Sequence, residues 1–136
     1  NNIVYKYSMK KILAEISLGE LADKITILEI KMEKIINKES LNTIKKEYQS
    51  LKSINIEIIN LEKYKQLFND LKLINEKLWD IENEKRLLEK NSDFGDKFVQ
   101  VSRDVHFMND KRAKVKKEIN RSFGSNIEEV KEYTKY

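Results

Sequence analysis

Apolar residues recur along the first third of the chain at alternating spacings of three and four positions. The first such stripe consists of Leu18, Leu21, Ile25, Leu28, Met32 and Ile35. This spacing aligns the side chains along one side of an α-helix and is typical of a helix packed lengthwise on another. Immediately before it, Ser17-Leu-Gly-Glu20 forms a capping box, in which the serine hydroxyl accepts a helix-start N–H and the glutamate reaches back. The pattern predicts a first helix from Ser17 to near Lys38.

The same periodicity predicts further helices, the second of them with a weaker apolar stripe and a cap at Ser40. Their predicted bounds are Ser40 to Ile54, Leu61 to Lys90, and Phe94 or Asp96 to Ser122. Gly124 follows the last of them, at the place where glycine usually ends a helix. The stretch 55–60 (NIEIIN) predicts a loose connection or kink, and a continuous second and third helix stays open as an alternative.

The composition agrees with a helical protein, because proline is absent, glycine occurs 3 times and charged residues make up 37% of the chain. We therefore predict an all-α fold, an elongated antiparallel bundle of three to four long helices over residues 17–124. Residues 1–16 are expected to be irregular or to form a short extended segment. Residues 125–136 are expected to form a C-terminal tail.

Several classes of chemistry are excluded or weakened by residue types. The chain has no cysteine, and His106 is its single histidine, so we expect no metal site and no cofactor. No apolar run approaches the roughly 20 residues that a membrane helix needs, and the N-terminal residues lack the layout of a signal peptide. These features predict a cytoplasmic protein without a membrane partner. The 27 basic and 23 acidic residues are interleaved, so the net charge of +4 is only a weak indication of an anionic partner.

Longer motifs give the chain a family resemblance. They are Gly19 to Lys31 (GELADKITILEIK), Leu78 to Glu82 (LWDIE), Asn109 to Asn120 (NDKRAKVKKEIN), and Gly124-Ser125 followed by Glu128 to Tyr133 (EEVKEY). In this order and spacing, from Ile16 onward, the chain resembles a bacterial and phage family of short helical proteins known only as a domain of unknown function. The resemblance implies no activity, substrate or cofactor.

The matching motifs do single out polar and aromatic positions, one of which is Glu29. The others are the candidate binding residues that the resemblance implies: Glu20, Asp23, Lys24, Trp79, Asp80, Glu82, Arg103, Asn109, Arg112, Lys116 and Asn120.

Arg112 stands between Met108 and Val115, at a position of the apolar stripe where a hydrophobic residue is expected. An unpaired buried guanidinium is very unfavourable, so Arg112 should meet a carboxylate of a facing helix. The candidate partners are Glu20, Asp23 and Glu82. Three interpretations stay open: an ion pair that fixes helix register, a pair that binds a ligand, and an exposed arginine whose stem covers apolar surface.

Two further features of the helices leave alternatives open. Asn75, Trp79, Glu82 and Arg86 form a stripe on the third helix that is either the wall of a pocket or a solvated face. Ile27 and Ile30 lie away from the apolar stripe of the first helix. They indicate either a central position for that helix or contact with a second copy in a homodimer.

These observations favour a non-enzymatic protein that self-associates and binds a protein or a small anionic partner. The alternative is a metal-dependent enzyme resembling helical nucleotide pyrophosphohydrolases, for which Glu20-x-x-Asp23 and Asp80-x-Glu82 supply fragments of a carboxylate set. The third interpretation is nucleic-acid binding by basic residues of the fourth helix. It is disfavoured because Glu118 interrupts the basic run and no aromatic platform accompanies it.

Overall fold

The computed structural model describes residues 6–7, 9–54 and 56–136. Its helices are α1 (Leu18–Lys34), α2 (Lys38–Lys52), α3 (Glu62–Lys90) and α4 (Asp96–Ser122). The described residues form no strand, so the predicted all-α class is confirmed. The parts of 1–16 that the structure describes lie in neither helix nor strand, while residues 1–5 and 8 lie outside the described residues. None of the described helices is long and apolar enough to cross a membrane.

The predicted cap of α1 is confirmed at Ser17, whose Oγ accepts a hydrogen bond from the Glu20 N–H at 3.1 Å. The Glu20 carboxylate does not complete the box, since it binds lysines instead. The predicted end of α1 near Lys38 is wrong, because the helix stops at Lys34 and Ile35 adopts extended backbone angles. β-branched residues at 35 and 36 favour that extended conformation.

The predicted cap of α2 at Ser40 is also wrong. Asn37 caps this helix, and its side-chain oxygen accepts the Ser40 N–H at 2.9 Å. Both residue types cap helices well, so the sequence alone favoured neither strongly.

Replacing Asn37 by alanine should therefore lower the free energy of unfolding by about 1 kcal/mol, because the Ser40 N–H loses its acceptor. Chemical denaturation measures this change. Ser40→Ala is the matched control, and it should leave stability nearly unchanged because the Ser40 side chain does not cap the helix. A larger loss for Ser40→Ala than for Asn37→Ala would contradict the structure.

Helices α2 and α3 are separate, which decides between the two alternatives for this region. Turns follow Lys52, and α3 begins at Glu62. The predicted end of α2 at Ile54 is wrong, because the helix stops at Lys52 and Ile54 is 46% exposed. Asn55, within the predicted connection, lies outside the described residues.

Helix α1 packs against each of the other helices, and α3 also packs against α4. Two apolar clusters form the core: Ala22, Tyr64, Leu67, Leu71 and Ile119 in one, and Leu78, Ile81, Val101 and Met108 in the other. The central place of α1 explains Ile30, which is only 1% exposed within a single chain. A second copy is not needed to cover Ile30, and the homodimer stays a prediction.

The end of α4 is joined to the start of α1. Gly124 has a positive φ of 64°, and the Ser125 N–H donates to the Asn120 carbonyl at 2.8 Å, as in a glycine-ended helix. Ser125 Oγ then accepts the Leu18 N–H at 3.0 Å. This connection aligns the first turns of α1 with the last turns of α4, where the candidate site lies.

Candidate functional site

Arg112 forms a two-pronged ion pair with Asp23 across the contact between α4 and α1. Its Nε donates to Asp23 Oδ1 at 2.8 Å, and its Nη2 donates to Asp23 Oδ2. The Asp23 side chain is 1% exposed, whereas that of Arg112 is 30% exposed. The predicted carboxylate partner is thus confirmed as Asp23. The hydrogen bond and the charge of Asp23 raise the pKa of Arg112 above its usual range, although burial opposes this.

A buried amide completes the surroundings of Asp23. Asn75 Nδ2 of α3 donates to Asp23 Oδ1 at 2.9 Å and lies 2.8 Å from Thr26 Oγ1. The Thr26 hydroxyl donates to the Asp23 carbonyl at 2.8 Å. Three helices therefore meet at one carboxylate, and its position fixes how α1, α3 and α4 are aligned.

Lys116 stands one helical turn from Arg112 and binds two further carboxylates. Its Nζ lies 2.7 Å from Glu20 Oε2, 3.0 Å from Glu129 Oε2, and 4.0 Å from Asp23 Oδ2. Burial disfavours the charged amine, but the hydrogen bonds to Glu20 and Glu129 outweigh burial, so the pKa of Lys116 is raised. Lys116 links α1 to the segment after α4.

Gly19 allows α1 and α4 to approach closely at this site. Its N–H donates to Asn120 Oδ1 at 2.7 Å, and Asn120 is buried. A Cβ at position 19 would lie 2.5 Å from the Lys116 carbonyl oxygen. Only glycine fits this contact without displacement of the helix backbone.

One groove borders Arg112 on the side of α3, and we call it the α3 groove. Its volume is about 500 Å³, and its lining residues are Ile27, Ile30, Asn75, Leu78, Trp79, Glu82, Asn83, Arg86, Asn109 and Arg112. It contains the whole polar and aromatic stripe of α3. The pocket-wall alternative therefore describes this stripe better than a fully solvated face does.

A second groove borders Arg112 and Asn109 from the other direction, and we call it the tail groove. Its volume is about 610 Å³, and it lies between α4 and the segment that follows it. Its lining residues are Glu20, Ser102, Val105, His106, Asn109, Asp110, Arg112, Ala113, Lys116, Glu129, Val130, Lys131 and Tyr133.

The structure brings most of the candidate binding residues into this region. Those that belong to the ion-pair network or line a groove are Glu20, Asp23, Trp79, Glu82, Asn109, Arg112 and Lys116. Asn120 lies next to them, where its side chain accepts the Gly19 N–H. Lys24 lies at the edge of this region, 3.6 Å from Glu20.

Asp80, Arg103 and Glu29 stand apart from these residues. Asp80 is exposed and lines neither groove. Arg103 lies over the Phe107 ring, with 5.8 Å between the guanidinium carbon and the ring centroid. Glu29 pairs with Lys72 of α3 at 3.5 Å.

Four contributors were not among the candidates: Gly19, Thr26, Asn75 and Glu129. Asn75 had a signal, since it belongs to the α3 stripe. Thr26 and Asp23 are three residues apart, a spacing that puts both on one side of α1. This spacing is common in helices and does not by itself indicate a shared site. Gly19 and Glu129 both lie in motifs of the family resemblance, but nothing in the sequence indicates their contacts with Asn120 and Lys116.

The carboxylates proposed for the enzyme alternative do not form a metal site. Over residues 6–7, 9–54 and 56–136, no group of three or more histidine, aspartate or glutamate side chains is placed to hold a metal ion. Glu20 and Asp23 bind Lys116 and Arg112 instead. For the nucleic-acid alternative, Arg112 and Lys116 already form ion pairs with Asp23 and Glu20. The other basic residues of this run in α4 are exposed: Lys111, Lys114, Lys117 and Arg121.

Comparison with known proteins gives a family and no activity. No curated protein and no solved structure matches the chain significantly. One family profile does match, over residues 11–136, and therefore over nearly the whole chain and all of the site. The chain belongs to this family, described as a family of unknown function (DUF6165).

Proposed function

We propose that this protein is a non-catalytic binding protein whose α3 groove takes a small ligand carrying a carboxylate or phosphate group. The observation that carries the proposal is that Arg112 is held by Asp23 and is still partly exposed to the groove. Asp23 accepts hydrogen bonds from Nε and Nη2 of Arg112 and leaves the other N–H donors of the guanidinium unused. The Arg112 side chain is 30% exposed and lines the α3 groove. Asp23 thereby holds a cation in a fixed orientation at the groove wall.

Several other residues of the groove support a ligand with both an anionic and an apolar part, while the Glu82 carboxylate also lines it. Arg86 is exposed and supplies a second guanidinium in the same groove. Ile30 and Leu78 provide apolar surface, and the partly buried Trp79 provides an aromatic ring. A volume of about 500 Å³ suits a small molecule.

Binding is favoured over catalysis by the way the acidic residues are used. A hydrolase of the pyrophosphohydrolase type needs carboxylates that are free to hold a cation. Asp23 orients Arg112, and Glu20 binds Lys116, so both serve to position cations that face the grooves. This arrangement supports recognition of an anion.

The test uses Trp79, the single tryptophan of the chain, as a fluorescent reporter inside the groove. Phenyl phosphate is the probe, since it combines a phosphate with a planar ring, and phenol is its neutral control. We expect phenyl phosphate to change tryptophan emission saturably and phenol to have little effect. Arg86→Gln should weaken phenyl phosphate binding roughly five- to tenfold, because a charge-assisted hydrogen bond is lost.

Arg103→Gln is the matched control, because Arg103 is also exposed but stacks on Phe107 outside the α3 groove. It should leave the affinity unchanged. Equal weakening by both substitutions would mean that only the overall charge matters. The proposal would be abandoned if phenyl phosphate gave no saturable response up to about 10 mM, where even weak specific binding is measurable.

Finer features of the protein also stay proposals. An elongated antiparallel arrangement is supported by contacts that pair Tyr64 with Phe123 and Lys85 with Phe98. Self-association as a homodimer, a coiled-coil character of the helices and a cytoplasmic location stay predictions from the sequence.

A further inference from the structure

We propose that a pocket beside the connection between α2 and α3 binds a medium-chain carboxylate, with the alkyl tail inside and the carboxylate group at the opening. We call it the connection pocket. Its volume is about 240 Å³, and its apolar lining residues are Ile25, Leu51, Ile54, Ile56, Ile59 and Phe68. It shares no lining residue with the α3 groove, so this inference goes beyond the proposed function.

The inner wall of the connection pocket is part of the protein core. Ile25 of α1 and Tyr64 of α3 line the pocket, and each is only 4% exposed. The Tyr64 ring packs against the ring of Phe68, with 6.1 Å between the centroids. An alkyl tail that enters the pocket therefore meets packed apolar side chains, and removal of the tail from water favours binding.

The connection leaves apolar side chains in water around the opening. Ile54 is 46% exposed and Ile59 is 36% exposed, and both line the pocket. Isoleucine is among the residues most often found fully buried in folded proteins. The apolar stretch at 54–59 therefore does more than join two helices, because it offers surface that a bound alkyl tail would cover.

The charged residues of the lining are all basic. Lys52 at the end of α2 and Lys65 near the start of α3 line the pocket and are exposed, and no acidic residue lines it. Neither lysine forms an ion pair with the described residues. Carboxylates line both the α3 groove and the tail groove. The connection pocket thus favours an anionic head group over a neutral or cationic one.

The volume of the pocket sets the length of the tail. An apolar cavity of about 150 Å³ holds benzene, which has six carbon atoms. By the same ratio, the connection pocket holds about ten non-hydrogen atoms, which is the number in octanoate. A leucine side chain of a partner protein has four carbon atoms and would fill less than half of this space. A single amphipathic carboxylate matches both the apolar volume and the two lysines.

The test is calorimetric titration of the full chain with octanoate. Octylammonium has the same tail with the opposite charge, and acetate lacks the tail, so both should bind at least tenfold more weakly. Hexanoate should bind about tenfold more weakly than octanoate, because each buried methylene contributes about a factor of four. Decanoate should bind no more tightly than octanoate, since its additional carbons exceed the volume of the pocket.

Substitutions locate the site. Replacing both lysines, Lys52→Gln with Lys65→Gln, should weaken octanoate binding roughly fivefold, as expected for exposed ion pairs. Lys63→Gln is the matched control, because Lys63 is exposed at the start of the same helix but does not line the pocket. It should leave the affinity unchanged.

Arg86→Gln separates this site from the α3 groove. Arg86 lines the α3 groove and not the connection pocket, so its replacement should weaken phenyl phosphate binding and leave octanoate binding unchanged. The double lysine variant should show the opposite pattern. Failure of one site therefore leaves the test of the other intact.

Three outcomes would overturn the inference. Octanoate binding that is weakened by Arg86→Gln and not by the double lysine variant would place the ligand in the α3 groove. An affinity that continues to rise from octanoate to decanoate and is unaffected by both lysine substitutions would show adsorption on exposed apolar surface. Absence of saturable octanoate binding up to about 10 mM would show that the connection pocket does not take ligands of this class.

Discussion

Replacing Arg112 by leucine is expected to lower the free energy of unfolding by about 3 kcal/mol. The reason is the Asp23 carboxylate, which is 1% exposed and would lose the partner that donates to both of its oxygens. Removal of one member of a buried ion pair costs about 3–5 kcal/mol. We expect the lower end because the Asn75 amide still donates to Asp23 and Lys116 stands 4.0 Å away. Denaturation in urea measures the loss.

The companion substitution Asp23→Asn separates the charge from the packing. In the wild-type background it removes the carboxylate that holds Arg112, so it should destabilise the protein. In the Arg112→Leu background it removes an unpaired buried charge, so it should restore part of the lost stability. The double-mutant cycle should therefore be strongly non-additive, with a coupling of about 1.5–3 kcal/mol.

A loss below about 1 kcal/mol for Arg112→Leu would contradict this account. Arg112 would then be an arginine whose stem covers apolar surface while its charge stays in water. That outcome would also weaken the proposed function, since a loosely held guanidinium would not be oriented towards the α3 groove. The stability measurement and the phenyl phosphate titration therefore test different consequences of one ion pair.

The helices were predictable from the sequence because their apolar stripes are long and regular. The start of α1 at Ser17 and the end of α4 near Gly124 carry local signals that the structure confirms. The boundary between α1 and α2 was missed by several residues. Residues 35–40 contain two good capping residues, and the choice between Asn37 and Ser40 depends on where the chain leaves α1.

The site was predictable only in part. A cation in the apolar stripe of α4 demands an acidic partner, and this argument led to Arg112 and to a short list that contained Asp23. It did not decide between Asp23, Glu20 and Glu82, because that choice depends on how α1 and α3 are rotated about their axes. In the structure, Glu20 forms an ion pair with Lys116, and Glu82 lines the α3 groove.

The helical periodicity gave no indication of several contacts. Glu129 and Tyr136 belong to a segment whose position is set by side-chain contacts with α4. Gly19 had a signal of a different kind, since a glycine within the first turn of a helix is unfavourable unless space requires it. Its reason is visible only when α4 is placed beside it.

Replacing Gly19 by alanine should lower the free energy of unfolding by about 1–3 kcal/mol, despite the better helix propensity of alanine. The added Cβ would lie 2.5 Å from the Lys116 carbonyl oxygen and 3.0 Å from Asn120 Oδ1. The first of these atoms belongs to the backbone of α4, so relief requires the two helices to separate. Separation stretches the 2.7 Å hydrogen bond from the Gly19 N–H to buried Asn120. Thermal and urea denaturation measure the effect.

Gly95→Ala is the matched control, because a Cβ there would meet only the Asp93 side chain, at 3.5 Å. Its effect should be clearly smaller and limited to the cap of α4. The two helices that separate in Gly19→Ala also carry Asp23 and Arg112, so this variant should bind phenyl phosphate more weakly while the Gly95 variant binds normally. A Gly19→Ala protein as stable as the wild type would show that α1 and α4 are not in such close contact, and the ion pair between them would lose its geometric basis.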